Sequence, residues 1–195
     1  RVSTVAWMRV ILGSSSVRRR ELLGSLGVAF DLASPDIEET PLADESAETY
    51  VLRLASEKAA AIESGDDDVV IAADTTVVLN GEIIGKPVDR ADAVRILSSL
   101  AGQTHQVLTG VAIAHAGRVA AAVETTLVTF TPLSAATIEW YVDHHEVLDK
   151  AGAYGMQGAA GAFVERIDGS PSNVIGLPLH LVVALAERLS VNLLA

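Results

Sequence analysis

The stretch Val69 to Pro87, VVIAADTTVVLNGEIIGKP, offers an acid and a base held at a set separation. An apolar run ends on the carboxylate of Asp74. The chain then continues through Thr75 to Leu79, reverses at Asn80-Gly81 and returns to Lys86 between Gly85 and Pro87. Val69, Val70, Ile71, Val77, Val78, Ile83 and Ile84 are β-branched, and Asn-Gly tolerates positive φ at both turn positions, so a hairpin is expected. An isolated charge is costly to bury, so an Asp at the end of a buried strand calls for a partner. The same residues also fit a capped turn beside a surface lysine.

Cations are scarce, which makes their positions informative. The chain has three lysines, Lys58, Lys86 and Lys150, and three of its arginines are consecutive, Arg18 to Arg20. These arginines fall in the first turns of a helix expected from Val17 to Leu26, opened by Ser14-Ser15-Ser16 after the short strand Arg9 to Gly13 and stopped by Gly27. Backbone N–H groups and the positive end of the helix dipole suit a phosphate there. Three consecutive residues fan over roughly 300° of a helix, so one or two of the arginines can face a single ligand. Lys58 follows Leu54 by one helical turn and points to the apolar side of a helix expected from Ser46 to about Ser64, with Tyr50, Val51, Leu54 and Ile62 facing the core. It either snorkels outward or meets an anion.

The elements that must position these groups follow in order. Phe30 to Ala33 reads as a strand, and Ser34 to Glu45 as an acidic loop carrying Glu38 and Glu39. Asp89 caps a helix to Leu100, and Thr104 to Ala114 and Arg118 to Phe130 form an antiparallel pair. Ser134 caps a helix through His144. His144 and His145, with Asp143 and Glu146, are adjacent on a helix and are read as surface. Asp149 to Gly161, DKAGAYGMQGAAG, has four glycines, which permit close backbone approach to a ligand, and its polar members are Lys150, Tyr154 and Gln157. Ala162 to Ile167 is a last strand, and Gly176-Leu177-Pro178 opens a closing helix to about Leu189. Without repeats or low-complexity linkers, 9–195 is expected to be one domain of helices packed on a mixed sheet.

Half of the residues are apolar but only 4% are aromatic, so the core is built from Ala, Val, Leu and Ile. A net charge of −11 argues against a nucleic-acid surface, while a small anionic ligand remains open if the few cations converge. No apolar run of about 18 residues argues for a membrane span. With no cysteine there is no disulfide, thiolate metal site or cysteine nucleophile, and a cytoplasmic protein is expected. Residues 1–8 lack a signal-peptide apolar region and are expected to be an extension or a vector remnant.

Three segments together, LGSSSVRRRELL, AADTTVVLNGEIIGKP and LDKAGAYGMQG, resemble the signatures of the Maf family of nucleoside triphosphate pyrophosphatases, with AGQTHQV at 101–107 extending a likeness that runs from Arg9 to Leu189. The resemblance implies an α/β fold of elongated mixed sheet flanked by helices, related to inosine triphosphatases, and a homodimer. It implies hydrolysis of dTTP and UTP, with CTP as a further candidate, to monophosphate and pyrophosphate with Mg²⁺ or Mn²⁺. It also implies an alternative, a nucleotide-binding regulator of septum formation with little catalysis. By matching position, Asp74 is implied as the proton acceptor, and Arg18, Thr75 and Gln157 as the residues that select the nucleotide. Ser14, Arg19, Lys58 and Lys86 are implied around the phosphates, and Glu38 with Asp74 around the metal. Gln157 presents both a donor and an acceptor, which can match a uracil or thymine edge. The chain departs from the pattern at Val17, where proline is usual, and at Gly13, where alanine is commoner; a looser loop with retained activity is expected.

Overall fold

Val69–Leu79 forms one unbroken strand, and the sheet is assembled beside it. The computed structural model describes residues 8–194; the expectation for the segment preceding Met8 lies outside them. The elements are β1 (Val10–Gly13), α1 (Val17–Gly24), β2 (Asp31–Ala33), α2 (Ala47–Ala60), β3 (Val69–Leu79), β4 (Glu82–Ile84), α3 (Arg90–Leu100), β5 (Thr104–His115), β6 (Arg118–Phe130), α4 (Ala135–His144), β7 (Val164–Asp168), α5 (Pro171–Ile175) and α6 (Leu179–Arg188), with single 3-10 turns at Ala151–Ala153 and Ala159–Phe163. They make a seven-stranded mixed sheet of order β2-β1-β3-β5-β6-β7, with β4 paired to β3. β1 runs parallel to both β2 and β3, whereas β4 and β7 pair antiparallel with β3 and β6. The expected α/β class with helices on a mixed sheet is what the chain adopts. Among the described residues no helix is long and apolar enough to cross a membrane.

Two compact units divide the chain, the first holding residues up to Asp74, Gly110–Val123 and Gly176 onward, the second holding Thr75–Thr109 and Glu124–Ile175. In the first, strand alternation sends Val69, Ile71 and Ala73 to one face, with Leu23 of α1 and Val182 and Leu185 of α6. Val70 and Ala72 go to the other, against Ala55 and Ala59 of α2. α2 lies very close to the strands. A Cβ at Gly110 would stand 2.2 Å from the carbonyl oxygen of Val51, and one at Gly13 would stand 2.4 Å from Ile62 Cδ1. In the second unit Val77, Leu97, Leu100, Val107, Val128 and Phe130 are buried with Tyr141, Tyr154 and Phe163.

Several boundaries differ from expectation. Asp74 is the sixth of eleven residues in β3 rather than the end of a strand, because a side-chain partner described below lets the ladder continue past a charged group. The Asn80-Gly81 reversal forms as expected, with φ of 53° and 86°, and it sets Val77 opposite Ile84. Phe30 and Ala162 fall outside β2 and β7. α2 stops at Ala60, and Tyr50, expected on its core side, is half-buried. The short helix α5 went unrecognised although its signals are local, a proline at its first position and Ser170 Oγ accepting from Asn173 N.

Candidate active site

Alternation along β3 decides which way Asp74 faces. Residues Val70, Ala72 and Asp74 share a parity, and the first two pack against α2, so the carboxylate emerges toward that helix. α2 is started by Ser46, whose hydroxyl accepts from Thr49 N, and its last turn carries Lys58 on the buried stripe with Val51, Leu54, Ala55 and Ala59. Lys58 Nζ donates to Asp74 Oδ1 at 2.6 Å, with both residues only 8% exposed. The same ammonium stands 2.6 Å from Glu39 Oε1, whose side chain reaches solvent. Lysine is almost never buried unless paired, and here one ammonium serves two carboxylates.

α2 also anchors the acidic loop that brings Glu39. Tyr50 Oη donates to the Glu39 carbonyl at 2.9 Å. Arg53 forks onto Glu45 at 2.7 and 2.8 Å and donates to the Thr40 carbonyl at 3.3 Å. That fork holds Glu45 down to about 2, while burial, followed by the charges of Asp74 and Glu39, pushes the Tyr50 hydroxyl up to about 12 and keeps it a donor. Glu38 is engaged locally: its carboxylate accepts from Thr40 N at 3.0 Å and from the Thr40 hydroxyl, which holds it below the usual range. The resemblance implies Glu38 with Asp74 around a metal; the carboxylate that reaches Lys58 is that of the neighbouring Glu39. Loops have no period, so nothing in the sequence separates the two.

Ser14 and Arg19 come together at the start of α1. Ser16 caps the helix by accepting from Arg19 N. Buried Ser14 Oγ accepts from Ser16 N at 3.2 Å and from Arg19 Nη1 at 3.4 Å. Arg19 Nε donates to the Gly176 carbonyl at 2.8 Å, so the guanidinium is braced from both ends. Burial lowers its pKa against the attraction of Asp74 and Glu39, which ties this arginine electrostatically to the Lys58 cluster. Arg18 is half-buried and Arg20 exposed, in keeping with the fan of three side chains around the helix. Ser14, Arg19, Glu39, Lys58 and Asp74 all belong to the first unit.

Thr75, Lys86 and Gln157 belong to the second unit. Thr75 Oγ1 lies 2.9 Å from Thr109 Oγ1, and Thr109 donates to the Asn173 carbonyl at 3.3 Å. Asn173, fully buried, donates to the Val107 carbonyl at 2.9 Å and to Thr126 Oγ1 at 3.0 Å. Lys86 is exposed between Gly85, whose carbonyl accepts from Gly152 N at 3.1 Å, and buried Pro87; Gln157 is exposed in a turn. Of the other polar members of the glycine-rich stretch, Tyr154 is buried with its hydroxyl 2.8 Å from His105 Nε2, and Lys150 donates to the Glu146 carbonyl. Sequence reasoning did not single out Glu39, Thr109 or Asn173, which meet Lys58, Thr75 and Thr109 through contacts distant in sequence.

A carboxylate pair, an ammonium and a braced guanidinium beside a helix N-terminus suit a phosphorylated ligand. Among the described residues no group of three His, Cys, Asp or Glu could hold a metal ion by itself. Two carboxylates are nonetheless the usual protein share of a Mg²⁺ site completed by substrate phosphates and water, so Asp74 and Glu39 fit a hard divalent cation.

A family model described as Maf-like protein matches residues 9–189. The chain is 50% identical over 184 residues to the dTTP/UTP pyrophosphatase of Anaeromyxobacter dehalogenans (strain 2CP-C), covering 92% of this chain and 93% of that one. It is 49% identical over 180 residues to the dTTP/UTP pyrophosphatase of Myxococcus xanthus (strain DK1622), covering 92% and 91%. The Staphylococcus aureus Ham1 protein superposes with a TM-score of 0.45 at 16% identity, over 63% of this chain and 71% of that one.

Proposed function

The chain belongs to the Maf-like protein family, and from that premise we propose that it is a nucleoside triphosphate pyrophosphatase hydrolysing dTTP and UTP, with CTP a further candidate, to the monophosphate and pyrophosphate. The observation that carries this reading is the buried Lys58 ammonium gathering Asp74 and Glu39 near Arg19, in a chain half identical to relatives of that name.

In the proposed reaction a water oxygen bonds to the α-phosphorus, the bridging oxygen to the β-phosphorus leaves with pyrophosphate, and the water proton passes to Asp74. Arg19 and Lys58 supply positive charge to phosphate oxygens, and the N–H groups of the first turn of α1 add donors of fixed direction. Ser14 and the Gly176 carbonyl hold the Arg19 guanidinium in place, so little reorganisation accompanies the developing charge. A divalent cation, Mg²⁺ or Mn²⁺, held by Asp74 and Glu39 would supply charge neutralisation and a more acidic water. The roles implied by resemblance for Arg18, Thr75 and Gln157 in choosing the nucleotide, and for Lys86 at a phosphate, are part of the proposal, as are a homodimeric state and a cytoplasmic location.

Incubation with a panel of nucleoside triphosphates and Mg²⁺ or Mn²⁺, with pyrophosphate and orthophosphate measured separately, tests it. Pyrophosphate release greatest with dTTP and UTP is expected. Release of orthophosphate alone would sink the cleavage site, and tight binding without turnover would favour the regulator. Asp74→Asn is expected to lower turnover by roughly 10³-fold with the fold retained, and Gln157→Glu to change the ranking of substrates.

A further inference from the structure

Lys58 is buried at the end of α2, yet it lies between two acids that are themselves the candidates for a metal. Its Nζ is 2.6 Å from one oxygen of Asp74 and 2.6 Å from one oxygen of Glu39, distances of strong charge-assisted hydrogen bonds. An ion bridging those same two oxygens would occupy the place where the ammonium stands. Asp74 is 8% exposed and cannot turn to water for compensation, so whichever cation is present must satisfy it. The Glu39 side chain is 44% exposed, which leaves an approach from solvent on that side of the ammonium. The lysine stem is four flexible carbons long, and its head can move while the helix stays in place.

We propose that Lys58 is an exchangeable counter-ion: in the metal-free protein its ammonium takes the place of the divalent cation between Asp74 and Glu39, and the entering cation displaces it. The displaced ammonium remains beside the site as a positive charge for the anionic ligand. The exchange keeps a buried carboxylate compensated at every stage and gives one lysine two successive partners. It rests on the divalent-cation part of the proposed activity, and it adds that Lys58 and the metal compete.

Mn²⁺ binding to the full chain without nucleotide, followed by the electron paramagnetic resonance signal of free Mn²⁺, tests this with wild type, Lys58→Arg and Lys58→Met. Lys58→Met is expected to bind Mn²⁺ at least about tenfold more tightly, since it removes both the competitor and its repulsion. Lys58→Arg keeps the charge and stays near wild type. In EDTA, Lys58→Met melts below wild type, and Mn²⁺ raises its midpoint more than that of wild type. Equal or weaker Mn²⁺ binding by Lys58→Met, or no binding by either protein, overturns the exchange.

A second measurement does not depend on the neutral variant folding. The chain has three lysines, so ¹⁵N-lysine spectra of the wild type are sparse, and the Lys58 signal is assigned by its loss in Lys58→Arg. Added Mg²⁺ is expected to move that signal toward the position of an exposed lysine. A signal unmoved at a Mg²⁺ concentration that displaces bound Mn²⁺ overturns the exchange. Pyrophosphate release by the wild type with Mn²⁺ affinity unchanged in Lys58→Met would sink the exchange alone, whereas tighter Mn²⁺ binding by Lys58→Met with no pyrophosphate release by the wild type would sink the activity alone.

Discussion

Asp74, Lys58 and Glu39 show how a charged group is kept inside a strand. Desolvation of a carboxylate is opposed by an ammonium at hydrogen-bond distance, and removing that ammonium takes the counter-charge away from a buried carboxylate. His105 meets the opposite treatment in the second unit. It is 1% exposed, edge-on to Phe130 and hydrogen-bonded to Tyr154, and burial pushes its pKa down from 6.5 to about 4. The folded chain therefore keeps His105 neutral while the unfolded chain protonates it below 6.5. Its stabilising effect is complete above the unfolded value and is lost as the pH falls toward the folded one. In urea melts between about pH 7.5 and about pH 5, wild type is expected to lose roughly 2 kcal/mol more than His105→Gln, which keeps a hydrogen-bonding group for Tyr154. Parallel losses in the two proteins would remove His105 as the cause.

At the level of elements, the position of Lys58 depends on how closely α2 approaches β1 and β5. Gly110 makes that approach possible, since the Val51 carbonyl oxygen and carbon lie 2.2 and 2.5 Å from where a Cβ would stand. Backbone atoms in a packed helix have little room to yield. Gly110→Ala is expected to cost roughly 2–4 kcal/mol in stability and to reduce turnover as well, because Lys58 rides on the displaced helix. Unchanged denaturant midpoint and turnover would show that α2 can slide without loss. The β3–β4 hairpin is fixed differently, by Asn80-Gly81 at positive φ and by β-branched pairs across the strands, and both are local properties of the sequence.

For the whole molecule, the proposed activity sets a net charge of −11 against a polyanionic substrate. Repulsion from the distant surface acts over tens of ångströms at low salt, while in the proposed reaction Arg19 and Lys58 act at contact distance and are screened less. Raising KCl from about 10 to about 150 mM shortens the Debye length from ~30 to ~8 Å, so kcat/KM for dTTP is expected to rise severalfold over that range. A steady fall would show that the local cations already govern the encounter.

The class of fold, the hairpin and the helix starts at Ser16, Ser46, Asp89 and Ser134 were legible because they depend on neighbours in the chain: capping, turn chemistry and alternation. The burial of Lys58 was half legible, its side of the helix being set by period and its partners not. Only the tertiary structure decided that Glu39 reaches that lysine, that Asp74 sits mid-strand, and that Arg19 is braced by Ser14 and the Gly176 carbonyl. Each of those outcomes turns on which side chain meets a group far away in sequence. That is settled by the close packing of helix on sheet, and adjacent residues of like chemistry give no local sign of it.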